Sequence, residues 1–219
     1  MSYSICQDKN ILIRRNRLSR YLRLSINRKN QVVLSVPLFC SVARAQAFLT
    51  AHQDWIQNHL TVPLTFHNGD SVSVLGQSLT IRHTPTHRGG VCRSGDDLIV
   101  GGETAFLHRR ITDYIKKETR RYIDTQARIL AAKAGLSVHQ IHLKDTVSRW
   151  GSCSAKGNLN FCWRLGLAPL FVLDYIIAHE VAHLQEMNHG PRFWRLVSQL
   201  TDRRADAEIW LRRNGCTLR

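Results

Sequence analysis

The segment over residues 169–187 constrains the fold of this chain more than any other, because it is mostly apolar yet contains histidines and carboxylates. Its apolar residues recur every three or four positions, which predicts a helix. Ile176 lies on the side of that helix opposite the main apolar stripe. We therefore expect the helix to be covered on both faces, which requires structure packed on two sides of it.

Two histidines of this segment, His179 and His183, stand four residues apart in the pattern H-E-x-x-H. Residues at this spacing share one face of a helix, so both imidazoles can bind one metal ion. Glu180 lies about 100° further round the helix, where its carboxylate can act as general base on a water that the metal activates. His189, just past the predicted helix end, is the candidate third ligand.

This donor set favours Zn²⁺, because neutral imidazole suits the ion and three ligands leave one position open for water. Mn²⁺ and Ni²⁺ stay open as alternatives. The pattern is short, and it also occurs by chance in helices whose histidines are merely hydrogen-bonded. A buried cluster of such groups is costly without a partner, however, and this favours the metal site.

The chain is strongly basic: its 219 residues include 31 Lys and Arg against 16 Asp and Glu, a net charge of +15. Such a surface attracts polyanions, including nucleic acid and phosphorylated small molecules. One cationic cluster consists of Arg14, Arg15, Arg17, Arg20, Arg23, Arg28 and Lys29. It is a candidate phosphate-binding face, although a solvated strand face explains it equally well. A basic nucleic-acid-binding module with structural zinc is therefore an alternative of another class, but structural zinc requires four ligands.

Several classes of protein are disfavoured by what the sequence lacks. The longest apolar run, residues 165–173, has nine residues, whereas a membrane-spanning helix needs ~20. The first residues lack the basic and apolar regions of a secretory signal. The six cysteines are scattered without a C-x-x-C pair, which argues against a disulfide framework or a zinc ribbon. We expect a cytoplasmic protein with reduced thiols and no membrane contact.

The secondary-structure pattern predicts an α+β protein in two domains, residues 1–103 and residues 104–219. The first domain is expected to be rich in strands and to contain one helix. The predicted elements are strands at 11–13, 71–75, 78–83, 98–100 and 138–143, hairpins over 21–36 and 152–163, and helices over 41–60, 104–134, 169–187, 191–200 and 202–213.

Three motifs of the chain resemble those of one known family. They are Arg149-Trp150-Gly151-Ser152-Cys153-Ser154, the H-E-x-x-H segment, and Asn188-His189 followed by Phe193-Trp194. Together they are similar to the YgjP-like metal-dependent hydrolases, a bacterial group of zincin metallopeptidases related at the site to SprT and WLM domains. The resemblance extends over nearly the whole chain.

The resemblance implies a compact, gluzincin-like catalytic domain behind the strand-rich N-terminal domain. It implies that His179, His183 and His189 bind the metal. Glu180 is then the catalytic base of a zinc-dependent, metallopeptidase-like hydrolase. Some members of the family are labelled nucleotide pyrophosphohydrolases acting on UTP, so the substrate is a peptide or protein, or alternatively a phosphorylated small molecule. Glu208 is a rival third ligand, since gluzincins use a downstream Glu, although its charged helix favours a solvated position.

Four further residues are candidates for binding the substrate. Arg149, Trp150 and Ser152 belong to a segment that we expect to form an edge strand beside the metal, where zincins align an extended substrate. A core position is the alternative for Trp150. Tyr175, one turn before His179, is a candidate for stabilising the developing oxyanion.

Overall fold

The chain is an α+β protein, as its sequence predicts, and it divides into two units between residues 63 and 64. The computed structural model describes residues 11–26, 31–59, 64–146, 149–215 and 218. The domain boundary expected at residue 103 falls inside the second unit, between a four-stranded sheet and the longest helix. In the described part of the chain, no helix is both long and apolar enough to cross a membrane.

Over its described residues, the first unit is a three-stranded sheet with two helices. Its elements are β1 (Ile11–Asn16), β2 (Arg23–Ile26), β3 (Val32–Pro37), α1 (Val42–Ala51) and α2 (Gln53–His59). The central strand β3 is parallel to β1 and antiparallel to β2, as the predicted hairpin requires. Val32 and Leu34 of β3 are buried in one cluster with Leu49 of α1. The predicted turn at residues 27–30 lies outside the described residues.

The single helix predicted over residues 41–60 is wrong, because the segment forms two helices that meet at His52. The His52 backbone N–H donates to the Leu49 carbonyl, and a bond between residues three apart ends the α-helical ladder. The His52 imidazole Nδ1 also lies 2.9 Å from the Phe48 carbonyl oxygen. No glycine or proline marks this break in the sequence.

The described part of the second unit begins with a four-stranded sheet. Its strands are β4 (Ser71–Val74), β5 (Gln77–Thr84), β6 (Val91–Ser94) and β7 (Asp97–Gly101), in the order β4-β5-β7-β6. The parallel strands β5 and β7 bury Ile81 and Leu98 in one cluster with Ile111, which lies near the start of a long helix, α3 (Leu107–Lys133). Strand β6 is not predicted from the sequence, because it is short, largely exposed and lacks apolar alternation.

A smaller sheet and three helices follow α3. The elements are β8 (Gln140–Lys144), β9 (Gly151–Cys153), β10 (Asn158–Cys162), a 3-10 turn (Trp163–Leu167), α4 (Leu170–Ala182), α5 (Pro191–Leu200) and α6 (Arg204–Asn214). The central strand β10 is parallel to β8 and antiparallel to β9, so β9 is an edge strand. The predicted hairpin of β9 and β10 is confirmed. Because α4 contacts α3, α5, α6 and β9, it lies at the middle of this part of the unit.

Helix α4 is buried on two sides, as its sequence predicts. Leu173, Ile177 and Val181 of the apolar stripe have no exposed surface. Ile176, on the other side, is also buried. The surrounding helices and β9 therefore pack against both faces of α4. A polar side chain in the middle of this helix is largely shielded from solvent.

The helix ends at Ala182, five residues before the predicted end at residue 187. Beyond it, the Leu184 N–H donates to the Val181 carbonyl, and the next residue repeats this pattern. Bonds between residues three apart tighten the chain into a 3-10 turn. The turn reverses the chain direction, so that the loop containing His189 lies beside the helix it has just left.

The contact between Gly166 and α3 provides a test of this packing. A Cβ added at Gly166 would collide with the Thr119 hydroxyl and would lie 3.3 Å from Ile115 Cγ2. We expect Gly166→Ala to lower the free energy of unfolding, measured with denaturant, by about 1–3 kcal/mol, the usual cost of overpacking a core. Adding Thr119→Ala removes the colliding oxygen and should recover most of that loss.

Gly190→Ala is the matched control for this prediction, because a Cβ at Gly190 would meet no other atom within 4 Å. Equal losses of stability for Gly166→Ala and Gly190→Ala would contradict the packing argument.

Candidate metal centre

Three imidazoles converge at the end of α4. His179 lies in the last turn of the helix, His183 is its cap and His189 comes from the loop that turns back. One ring nitrogen of each lies within 4.8 Å of the others, and no other such cluster of potential ligands occurs in the residues that the structure describes. The structure thus brings together the three ligands that the sequence analysis proposes.

The closest pair of nitrogens is His179 Nε2 and His189 Nε2, which are 3.1 Å apart. Two imidazole nitrogens that face each other at this distance need a proton or a cation between them, since lone pairs repel. Nitrogens bound to one tetrahedral zinc at ~2.0–2.1 Å stand about 3.3–3.4 Å apart. The observed spacing therefore fits two ligands of one ion.

Contacts with the protein help to hold these rings in place. His183 Nδ1 lies 3.0 Å from the Glu186 carbonyl oxygen, which can only accept a hydrogen bond, so Nδ1 carries the proton and Nε2 keeps its lone pair. Phe193 is fully buried, and its ring centroid lies 4.5 to 4.9 Å from the centroids of all three imidazoles. His189 is exposed, so the cluster opens to solvent on its side.

Burial keeps His179 and His183 neutral, as metal binding requires. Burial is the main cause that lowers the pKa of His179 to about 4, and the neighbouring rings of His183 and His189 contribute in the same direction. Burial also lowers the pKa of His183. His179 Nδ1 is buried without a hydrogen-bond partner among the described residues. Neutral rings with converging lone pairs fit a divalent ion such as zinc, which binds imidazole nitrogen.

Glu180 lies beside this cluster and is buried, with 5% of its surface exposed. Burial raises the pKa of its carboxyl to about 8, against the opposing influence of the Arg149 charge. Its Oε2 has no hydrogen-bond partner among the described groups. A Cβ at Gly151 would lie 2.7 Å from both Cγ and Cδ of Glu180, so β9 can run against this side chain only with glycine there.

The segment around β9 contains the candidate substrate residues, and its Gly151 lies against Glu180. Arg149, Trp150, Gly151 and Ser152 line one pocket, together with residues of β8 and β10. The Asn160 amide lies 3.3 Å from the Ser152 hydroxyl, to which it donates. Part of Trp150 packs against the main hydrophobic cluster, so this residue contributes to the core as well as to the pocket. Their contact with a substrate stays a prediction.

Tyr175 makes a different contact from the one expected. It is buried, and its hydroxyl donates to Glu208 Oε1 over 2.9 Å. Arg204 Nε donates to the same oxygen over 2.9 Å. A role at an oxyanion would require Tyr175 to leave this bond, and that role stays a prediction. Glu208, the rival ligand, does not join the group of three histidines.

Arg204 also contributes to this region, although its sequence position alone does not predict it. Its guanidinium carbon lies 3.5 Å from the centroid of the Trp194 ring, and that ring stands 5.9 Å from the His179 ring and 5.7 Å from the His189 ring. Arg204 thus links the Tyr175–Glu208 contact to the surroundings of the histidines. The spacing of four residues between Arg204 and Glu208 is a signal that could have found it.

The cationic cluster proposed from the sequence belongs to the first unit. Its exposed members are Arg14, Arg15, Arg17, Arg20 and Arg23. Arg15 also donates to the Leu38 carbonyl oxygen over 2.6 Å. Arg28 and Lys29 lie outside the described residues, and binding of a polyanion by this cluster stays a prediction. Cys40, Cys92, Cys153 and Cys162 are free thiols, while Cys6 and Cys216 lie outside the described residues.

Fold and site together define a class: an α+β protein in which three imidazoles and a buried glutamate meet at one helix has the donors of a metallohydrolase. A family description, the YgjP-like metallopeptidase domain, matches residues 20–214. The chain therefore belongs to the YgjP-like metallopeptidase family, as its motifs predict. Membership points to a metal-dependent hydrolase and to a divalent ion, typically zinc. Comparisons with curated proteins and with solved structures found no match.

The three histidines predict a measurable loss of metal. We expect His179→Ala combined with His183→Ala to abolish binding of the divalent ion, because two of three ligands are removed. Elemental analysis of the purified protein measures this directly. Acid should release metal from the unaltered protein, since each imidazole must be neutral to bind. A full equivalent of metal in the double variant would refute the assignment.

The bond from Tyr175 to Glu208 predicts a loss of stability. We expect Tyr175→Phe to lower the free energy of unfolding by about 1 kcal/mol, since a hydrogen bond to a carboxylate is lost. Metal content should stay unchanged. Tyr114→Phe is the matched control, because none of the described groups that act on the Tyr114 hydroxyl forms a hydrogen bond with it. Identical unfolding curves for the Tyr175 variant and the parent protein would speak against this contact.

Proposed function

We propose that this protein is a zinc-dependent hydrolase of the metallopeptidase type. His179, His183 and His189 hold the ion, and Glu180 is the general base. The observation that carries the proposal is the convergence of three imidazoles beside a buried carboxylate at the end of one helix. Membership in a metallopeptidase family supports it.

When bound at these histidines, a divalent ion supplies Lewis acidity, which polarises a substrate carbonyl and lowers the pKa of a water molecule. The Glu180 carboxylate takes a proton from the attacking water and can later give it to the leaving amine. Burial raises the pKa of Glu180 to about 8, and a base titrating near the working pH both accepts and returns protons efficiently. Gly151 keeps this carboxylate beside β9.

The edge strand β9 supports an extended peptide as the substrate. It pairs with β10 on one side, and in the described sheet no strand pairs with its other side. A peptide can add to such an edge through main-chain hydrogen bonds. Arg149, Trp150 and Ser152, which belong to this strand or precede it, are the candidates for contacting its side chains.

A nucleotide pyrophosphohydrolase is the second candidate function, because activated water attacks phosphoryl as well as carbonyl groups. One observation favours it: the Arg149 charge acts on Glu180 from beside the site, where a phosphate could bind. The nucleic-acid-binding alternative would need a closed zinc site with four ligands. Only three potential ligands converge among the described residues, which disfavours it.

Glu180→Gln tests the role of the base, because it keeps the size of the side chain and leaves the histidines alone. We expect hydrolysis to slow by at least ~10²-fold while the metal content stays the same. Steady-state rates and elemental analysis on the same preparation measure both quantities. Loss of the metal together with the activity would mean that Glu180 is a ligand or a structural group.

The Glu180→Gln variant is also the negative control for an experiment that identifies the substrate. Unfolded proteins and peptides are compared with UTP and other nucleoside triphosphates, using the metal-loaded protein and its Glu180→Gln variant. Cleavage of peptides that the variant lacks is the expected result. Metal-dependent release of pyrophosphate without peptide cleavage would overturn the metallopeptidase proposal in favour of the second candidate.

A further inference from the structure

Positive charge in the first unit is almost unopposed. The described residues of this unit, 11–26 and 31–59, contain six arginines and a single acidic residue, Asp54. Five of the arginines are exposed members of the cationic cluster, and none of the five forms an ion pair among the described residues: Arg14, Arg15, Arg17, Arg20 and Arg23. A surface with such an excess of cations attracts polyanions.

Two of these arginines share one face of the three-stranded sheet. Ile13 of β1 and Leu34 of β3 belong to the apolar cluster that the sheet forms with α1 and α2. Successive side chains of a strand point to opposite faces, so Arg14 points away from that cluster. Arg14 and Arg23 both stand opposite Ser35 of the central strand, one on each side of it. Two strand spacings put the Cα atoms of the two arginines about 10 Å apart.

Two tight turns at one edge of the same sheet present exposed apolar side chains. Asn16 of β1 pairs with Pro37 of β3, and each carbonyl accepts a backbone hydrogen bond of 3.2 Å from the residue three positions later. Leu18 and Phe39 occupy the same position in these turns and are 92% and 96% exposed. Because β1 and β3 are neighbouring parallel strands, the two turns follow the same edge. Large apolar side chains exposed together in this way mark an interaction surface.

Tyr21 adds a second exposed aromatic ring at this edge. It precedes Arg23, the first residue of β2, by two positions, and β2 runs antiparallel to β3. The chain before Arg23 therefore lies at the edge where β3 ends. The Tyr21 side chain is 80% exposed, while the Ser19 hydroxyl donates to the Tyr21 carbonyl oxygen over 2.7 Å. The backbone is thus held in place, and the ring is open to a ligand.

The partner must match both the cations and the exposed rings. Arginine binds phosphate oxygens in pairs, and an exposed aromatic ring stacks on an unpaired base. The arginines extend from the face of the sheet to the edge where Tyr21 and Phe39 lie. A flexible single strand can follow both the face and the edge, whereas a flat membrane contacts one of them at a time. Single-stranded nucleic acid therefore fits this surface better than a membrane does.

We infer that this surface of the first unit binds single-stranded nucleic acid. Its arginines bind backbone phosphates, and Tyr21 and Phe39 stack on bases. Both contacts accept any base, so binding is independent of sequence. The histidine cluster belongs to the second unit, so this surface adds a binding function to the proposed hydrolase and stands without its activity.

The charge contribution is tested with fluorescein-labelled single strands of RNA and of DNA, each of mixed sequence and about 15 nucleotides long. Fluorescence anisotropy measures their binding to the full-length protein at several salt concentrations. We expect Arg14→Gln/Arg23→Gln to weaken binding at least about tenfold and to reduce the salt slope by about 1.4, because two phosphate contacts are lost. Binding of either strand supports the inference, and the tighter one identifies the preferred nucleic acid.

Arg88→Gln/Arg120→Gln is the matched control, because it removes the same charge from two exposed arginines of the second unit. Its affinity should stay within about twofold of the parent protein, since no phosphate contact is lost. Circular dichroism verifies that all variants are folded. Equal losses of affinity in the two double variants would overturn the inference, because any cation of the protein would then serve.

The stacking contribution is tested with Tyr21→Ala and Phe39→Leu. We expect each to weaken binding of the single strand at least about fivefold, with an unchanged salt slope, because a base loses its stacking partner while the charges stay. Tyr21→Phe keeps the ring and should bind like the parent protein. Unchanged affinity in Tyr21→Ala and Phe39→Leu would refute the stacking.

Two further ligands separate the inference from other polyanions. A duplex of the same sequence, whose bases already stack on each other, should bind more weakly than the single strand, and equal or tighter binding of the duplex would overturn the inference. Vesicles of phosphatidylcholine and phosphatidylserine test the membrane by co-sedimentation. Binding to these vesicles by a protein that binds neither oligonucleotide would also overturn it. None of these measurements needs turnover, so a failed hydrolase assay leaves their outcome unchanged.

Discussion

The burial of α4 on both faces is the constraint on which the site depends. Apolar side chains hold the helix between its neighbours, and the same packing excludes water from its last turn. In that medium the charged form of each side chain is penalised, so His179 stays neutral and Glu180 binds protons more tightly. The chemistry of the site thus originates in hydrophobic packing, which also fixes the positions of the groups.

The early end of α4 matters as much as its burial. A helix continuing to residue 187 would carry the chain away from the two histidines of the helix. The 3-10 turn after Ala182 instead returns the chain, and α5 then presents Phe193 to all three imidazoles. The third histidine therefore comes from local backbone geometry, and a single aromatic ring keeps the three rings together.

The sequence predicted what depends on local periodicity. The two-sided burial of α4, the β9–β10 hairpin and the α+β class follow from apolar spacing and turn residues. It did not predict what depends on distant contacts: the break at His52, the short strand β6, or the contact of Gly151 with Glu180. From the sequence, the glycine at position 151 is recognisable only as a small residue, because the side chain that requires it, Glu180, lies 29 residues further along the chain.

The long helix α3 belongs to two hydrophobic cores at once. Its first turns, with Ile111 and Ile115, complete the core of the four-stranded sheet, whereas Ile123 and Ala127 complete the core around α4. Separating α3 from the rest of the unit would therefore expose apolar side chains in both cores. The second unit should therefore melt in one cooperative transition, and a fragment starting at residue 104 would carry an uncovered apolar surface on α3, which invites self-association.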